Sequence, residues 1–237
     1  IINDKIEQTK YFTDINNSII FDKNIVIKEI EALIKKYPKF KVNKLKKLSF
    51  NEVVKIKEDI LLKIRDMNIN QIRKKLLKNK SQSIKNIVNE MKGDYQNFSA
   101  EGLEKITSDG FMCLANNVST IKPNYSIDED GNPKSHAKSG VPDIECYLEN
   151  FNLICEVTKL TGREQWYNES VPIARHLNDF ENSNPDKDNY CLFIAPRIHN
   201  DGMWAIWCCV KHGYLDENNQ KIIPISIEKF ANFINYF

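Results

Sequence analysis

Val141-Pro142-Asp143-Ile144-Glu145, followed thirteen positions after Asp143 by Glu156-Val157-Thr158, decides the reading of this 237-residue chain. The stretch reads as a short strand, a tight turn at Glu149-Asn150-Phe151-Asn152, and a second strand from Leu153 to Lys159. Side chains alternate along a strand with period 2. Glu156 therefore shares a face with Ile154 and Thr158, and Cys155, Val157 and Lys159 take the other. Such a hairpin brings two carboxylates from separate strands to one point when both lie on the same face. Converging carboxylates make the oxygen-rich site that Mg²⁺ prefers, and metal-assisted attack on a phosphodiester is a common use of it. A solvated hairpin with two acidic residues facing water has the same spacing, so spacing alone leaves both readings open.

The flanking sequence narrows the choice. Upstream, Lys122-Pro123-Asn124-Tyr125 and Asp128-Glu129-Asp130-Gly131-Asn132-Pro133 lead through Ser139-Gly140-Val141 into Asp143. Downstream, Thr161-Gly162-Arg163-Glu164-Gln165 leads to Glu169, Val171 and Arg175-His176. The Asp143, Glu156-Val157-Thr158 pattern resembles the PD-(D/E)xK nuclease signature, with Thr158 where lysine usually stands. The whole run, roughly residues 98–237, resembles the cleavage domain of the AlwI-type restriction endonucleases. These are type IIS enzymes whose relatives include strand-nicking endonucleases. The resemblance implies that Asp143 and Glu156 bind Mg²⁺, with Mn²⁺ able to substitute, and that the Val157 carbonyl is a further ligand. It also implies that Glu169 belongs to the metal site, as does Glu104, which matches an upstream helical glutamate; Glu101 is the fallback for that position. The expected products carry 5′-phosphate and 3′-hydroxyl ends.

Phosphodiester hydrolysis needs a deprotonated water, in-line attack and neutralisation of the charge that builds on the phosphoryl oxygens. With threonine at position 158, the group that activates water has to come from elsewhere. Lys159 is adjacent, but alternation points it to the opposite face. Gln165 and Glu169 are four apart and share a face if residues 164–182 form the next helix. Gln165 is then a candidate to orient water, and Glu169 a candidate to bind or position metal; a solvated polar helix face is the alternative for both. Arg175 offers a bidentate fork to a phosphate, with pairing to Glu169 or Asp179 as its competing role. Lys159 and His176, and with less support Arg197 and His199, are further candidates for DNA contact.

Composition fits a soluble cytosolic protein, and the resemblance implies a bacterial cytoplasm. Hydrophobic residues make up 41% and charged residues 28%, enough for a packed core and against bulk disorder. No run has the length of a membrane-spanning helix and no signal peptide is visible. Six cysteines in this setting read as thiols rather than a disulfide framework. Cys208-Cys209-Val210-Lys211-His212 lacks a second ligand pair and reads as helix, not zinc site. The net charge of +2 conceals an asymmetry. Residues 1–100 hold 22 Lys and Arg against 12 Asp and Glu, and the remainder holds 12 against 20. A basic half that grips phosphate beside an acidic half that collects cations suits a nuclease; a lysine-rich solvated surface is the plainer alternative.

The expected fold is α/β, a PD-(D/E)xK restriction-endonuclease-like core with a mixed central sheet flanked by helices, preceded by an all-helical N-terminal region. The change of character falls near residue 95, dividing a basic helical region, 1–95, from a cleavage domain, 96–237. Before it, apolar residues recur at helical spacing in three series, with Pro38 ending the first helix and Ser49 or Asn51 capping the second. After it come a helix over 101–116, the hairpin, a helix around 165–181 and a strand over 190–195 buried on both faces. A helix over 203–212 closed by Gly213 follows, then an edge strand at Ile222-Ile223-Pro224-Ile225 and a terminal helix capped by Ser226.

These readings converge on a metal-dependent endonuclease acting on double-stranded DNA. One site cuts one strand, so a duplex break calls for a transient homodimer or a second nuclease subunit. Ile1 in place of methionine points to a fragment, with a sequence-recognition module expected N-terminal to it. Two alternatives stay open: a repair or recombination nuclease on the same fold, and a catalytically silent nucleic-acid-binding module.

Overall fold

The computed structural model describes residues 22–93, 95–127, 133–135, 137, 140–215 and 218–237. The motif residues Asp128 to Asn132, together with His136 and Ser139, lie outside that set. Two compact units divide the chain, Ile1–Met67 and Asn68–Phe237.

In the first unit a helix over residues 22–36, α1, is followed by a short 3₁₀ turn, Leu45–Lys47, and the start of α2, Phe50–Lys78. Pro38 stands just beyond α1, as expected of a residue that cannot continue a helix. Ser49 is the cap of α2. Its hydroxyl accepts from the Glu52 N–H at 3.3 Å and the Glu52 carboxylate accepts from the Ser49 N–H at 2.7 Å, a reciprocal box that satisfies two otherwise orphaned donors. The apolar series predicted from spacing closes this unit's core with Ile27, Ile30, Val53, Ile60 and Ile64.

The second unit begins earlier than the change of sequence character at residue 95. α3, Lys80–Gly93, buries Ile84, Ile87, Val88 and Met91 in one cluster with Leu103 and Ile106 of α4, Ala100–Leu114, and with Phe230 and Ile234 of α7, Ile227–Tyr236. Composition marks where strands begin, whereas the core also recruits the helix that precedes them. The second and third apolar series also run together through α2 as far as Lys78.

A five-stranded mixed sheet runs β1-β4-β5-β6-β7. Its strands are β1, Thr120–Pro123, β4, Ile144–Tyr147, β5, Phe151–Val157, β6, Asp188–Ala195, and β7, Ile222–Ser226. A separate ribbon pairs β2, Ser126–Ile127, with β3, Pro133–Ser135. β4 runs antiparallel to both its neighbours, β1 and β5, and β5, β6 and β7 are parallel. The crossovers are α5, Glu164–Ser183, and α6, Asn200–His212. Alternation sorts the sheet's two faces: Ile144, Cys146, Leu153, Cys155 and Ile194 pack against α3, α4 and α7. Ile154, Cys191, Phe193 and Ala195 pack against α5 and α6. A layered α/β core follows, helices covering both faces of a mixed sheet.

Two details differ from the sequence reading. The hairpin tip is tighter, with Leu148 N–H donating to Phe151 O, so β5 begins at Phe151 and ends at Val157. β1 is a strand the sequence reading lacks, because Lys122-Pro123-Asn124 carries turn chemistry; proline is tolerated there because β1 lies at the sheet edge. The edge position of β7 with its internal Pro224, the Ser226 cap on α7 and Gly213 closing α6 at φ 80° all match expectation. Cys208 and Cys209 lie within α6. Among the described residues no helix is long and apolar enough to cross a membrane.

Candidate active site

Sheet register places the two hairpin carboxylates together. Ile144 pairs with Cys155 in the antiparallel ladder, so Asp143 and Glu156 occupy the next position outward on the two strands. Asp143 Oδ2 accepts the Val157 N–H at 2.8 Å, which ties the end of one strand to the end of the other. A second tie comes from β1. The Asn124 N–H donates to Asp143 O at 2.8 Å, and its amide donates to Pro142 O at 2.8 Å and to Glu145 Oε1 at 2.7 Å. Glu145 is itself held by Lys122 Nζ at 2.9 Å and by the Tyr147 hydroxyl at 2.5 Å. The Lys122-Pro123-Asn124 motif thus fastens the Pro142-Asp143 backbone to the sheet.

Around this point lies an open cleft of about 400 Å³. Glu104 enters from α4, Asp143 from the start of β4, Glu156 and Val157 from β5, and Glu169 from α5; Thr158, Lys159, Pro172, Arg175 and His176 complete the wall. Four acidic residues from four separate elements therefore line one cavity. Glu104 is the upstream glutamate that lines it, not Glu101. Burial and mutual repulsion act on them together. Asp143 is raised well above the usual carboxylate range by burial, then by Glu156 and Glu104. Glu156 is raised well above it by burial, then by Glu169. Glu169 is raised by burial and partly eased by a hydrogen bond from Thr158. No three of the described His, Cys, Asp and Glu side chains converge tightly enough to form a ready-made cage. Repulsion between charges in a low-dielectric cleft keeps such groups apart unless a cation or protons offset it.

Several expected roles change. Gln165 is fully buried: its amide donates to Leu160 O and to Arg197 O at 2.7 Å, and Oε1 accepts from the His199 N–H at 2.8 Å. It clamps the two loops after β5 and β6, with both amide hydrogens committed and its side chain out of reach of solvent, so the water-orienting role read from helical spacing gives way to a structural one. Lys159 lines the cleft, but its ammonium donates to the carbonyls of Gln96 and Phe98 just before α4. Those two carbonyls hold the ammonium at the edge of the cleft. His176 is also not a surface DNA contact. It is buried, with Nδ1 2.7 Å from Glu156 Oε1 and Nε2 without a hydrogen-bond partner. Burial, reinforced by neighbouring Arg175, lowers its pKa, while Asp143 and Asp179 pull it up. Spacing could have found this, since His176 lies one side of α5 with Glu169 and Pro172. Arg175 is exposed on the cleft wall and makes no hydrogen bond or ion pair among the described residues; it pairs with neither Glu169 nor Asp179. Thr158 sits where a lysine is usual in the signature. Its N–H donates to Ile194 O at 3.0 Å, and its hydroxyl oxygen accepts from the Leu160 N–H at 3.2 Å while hydrogen-bonding to Glu169.

Comparison with known proteins adds two findings. The family model described as AlwI restriction endonuclease matches residues 1–233, reaching through the helical region that the motifs alone do not cover. Among solved structures the chain is similar to the small subunit (R.BspD6I2) of the heterodimeric restriction endonuclease R.BspD6I. The TM-score is 0.53 at 22% identity, over 64% of this chain and 77% of that one, a likeness of fold. No curated protein matches the chain.

Proposed function

The chain belongs to the AlwI restriction endonuclease family, and from that premise we propose that the cleft is a Mg²⁺-dependent site that hydrolyses one strand of double-stranded DNA at a time. The observation that carries this reading is the gathering of Glu104, Asp143, Glu156 and Glu169 around one open cleft with the Arg175 guanidinium on its wall. Carboxylates and the Val157 carbonyl form an all-oxygen donor set, which fits Mg²⁺ and tolerates Mn²⁺. Asp143, Glu156 and Val157 would hold the ion, with Glu169 and Glu104 completing the charge. When bound, the cation offsets charge on the phosphodiester and lowers the pKa of water beside it.

The protein's own groups then divide the work. His176 Nδ1 shares a hydrogen bond with one oxygen of Glu156 and so fixes how its carboxyl group is presented, the usual service of a hydrogen bond behind a ligand. Thr158 holds Glu169, whose carboxylate lines the cleft where it can take a proton from the attacking water. Between them these two residues supply what the signature's lysine supplies elsewhere. Arg175 offers two parallel donors to the scissile phosphate. The basic residues before position 100 add sequence-independent, salt-sensitive affinity for the DNA backbone. The type IIS or nicking character belongs to the same proposal. So does a second subunit for cutting both strands, in keeping with the heterodimeric enzyme of the structural relative.

Supercoiled plasmid tests the proposal. Nicking or linearisation that requires Mg²⁺ or Mn²⁺ and is abolished in Asp143→Ala and Glu156→Ala is the expected result. Threonine at 158 favours one competing reading, a silent DNA-binding module. Metal-independent function that survives both substitutions would establish that reading instead.

A further inference from the structure

We infer that Pro172 is a positioning residue: by withholding an N–H from α5, it leaves the Asn168 backbone oxygen to orient water at the rim of the cleft. Pro172 lies inside α5, well past the first turn, where proline is tolerated. In a helix interior it is the costliest of residues. It removes the bond to the carbonyl four residues back, and its ring clashes with that oxygen. Here the oxygen belongs to Asn168. A helical carbonyl points along the axis towards the residue four ahead, so Asn168 O is aimed at the pyrrolidine ring, whose clash tilts it out of the ladder. Pro172 lines the cleft between Glu169, three residues before it, and Arg175 and His176, three and four after it. Residues 168 and 172 share that face of α5, and Asn168 is exposed.

The helix is held on both sides of the proline without the missing bond. Before it, Gln165 ties α5 to the carbonyls of Leu160 and Arg197. After it, Ile173, Leu177 and Phe180 are buried against the sheet, and the Gln220 amide donates to Ala174 O at 2.6 Å. The fold can therefore bear one break in the ladder, and the break falls at the turn that faces the cleft. The cleft has a use for it. Threonine at 158 replaces the usual lysine, and the Gln165 amide is committed to the loops. Asp143, Glu156 and Glu169 already crowd one another, so another charged acceptor would add to their repulsion. A carbonyl accepts from water without adding charge. Mg²⁺ usually keeps several waters of its hydration shell, and each needs acceptors. The inference rests on reading the cleft as a Mg²⁺-dependent hydrolytic site.

The test compares the parent, Pro172→Ala, and a chain with lactic acid at position 172, whose ester bond keeps the alanine shape without the N–H. Melting curves of the full chain in EDTA and in Mg²⁺, and plasmid-nicking kinetics, are read for all three. Pro172→Ala closes the helical bond to Asn168 O. Its melting temperature in EDTA should rise by roughly 2–6 °C, and the further rise that Mg²⁺ gives the parent should shrink. Its kcat should fall about tenfold, the size of one lost hydrogen bond, with KM for DNA unchanged. Lactic acid at 172 should restore both the Mg²⁺ response and kcat. A Pro172→Ala chain no more stable than the parent in EDTA, or one with the parent's Mg²⁺ response and turnover, overturns the inference. So does a parent that Mg²⁺ fails to stabilise. A lactic acid chain as slow as Pro172→Ala also overturns it, because the ring and not the missing donor would then matter. A parent that never nicks DNA, in a set where Pro172→Ala alone loses the Mg²⁺ response, upholds the oxygen's role and counts against the endonuclease reading instead.

Discussion

Glu169→Gln removes one charge from the crowded cleft and is expected to stabilise the metal-free protein. Glu169 is the foremost like-charged neighbour of Glu156 and also acts on Asp143. Glutamine keeps an acceptor for the Thr158 hydroxyl, so shape and hydrogen bonding change little. The sign follows from linkage. Asp143, Glu156 and Glu169 have folded pKa values above their ordinary ones. The folded state therefore holds more protons than the unfolded chain, and their stabilising contribution, full below the ordinary carboxylate range, is lost as pH rises through the raised values. One pKa unit corresponds to about 1.4 kcal/mol, and a like charge at a buried site moves a pKa by roughly one to three units. With Glu169 only partly buried, a gain on the order of 1–2 kcal/mol is expected, or about 2–8 °C in melting temperature for a chain of this length. The assay is calorimetry in EDTA at about pH 5 and about pH 8.5, repeated with Mg²⁺. The variant should exceed the parent at the higher pH and converge with it at the lower. Mg²⁺ should stabilise the parent more than the variant, because the bound cation offsets the same repulsion. A variant no more stable than the parent in EDTA at high pH, or an advantage that grows on acidification, would refute the reasoning.

Three further outcomes are expected. Gln165→Leu leaves the carbonyls of Leu160 and Arg197 and the His199 N–H without their partner. It should cost about 2–4 kcal/mol in denaturant unfolding, whereas a loss of turnover at unchanged stability would restore a catalytic role for the glutamine. Asn124→Ala frees Pro142 O and one bond to Glu145, costing about 1–3 kcal/mol. It should also raise the Mg²⁺ concentration for half-maximal cleavage severalfold, since the residue before Asp143 loses its side-chain brace while the backbone bond to Asp143 O remains; an unchanged metal titration would show that the Asn124 side chain serves stability alone. Gly110→Ala places a methyl 2.6 Å from Ile234 Cδ1 where α4 and α7 meet. Because that atom is the end of a side chain, a cost near 1 kcal/mol is expected, and combining it with Ile234→Val should recover part of it.

Local chemistry determined much of this protein in the sequence alone. Alternation along 144–157, the Ser49 and Ser226 caps, Gly213 after α6 and Pro224 on an edge strand each depend on residues within a few positions of one another. Such short-range rules are legible without a fold. Asp143, Glu156 and Glu169 were legible for a related reason, since strand and helix periods place each on a definite face. The tertiary structure alone decided what those faces meet. Gln165 shares a helix face with Glu169, yet it is consumed by carbonyls from two loops far along the chain. Lys159 is captured by the residues before α4. His176 could be placed on α5 from its spacing, but only the packing of α5 on the sheet sets it against Glu156. β1 shows the same limit at the level of a whole element, for its turn-forming residues become a strand once β4 offers a ladder. Backbone preferences are written into a few neighbouring residues, whereas the partner of a buried polar group is set by chain segments that meet only when the core closes.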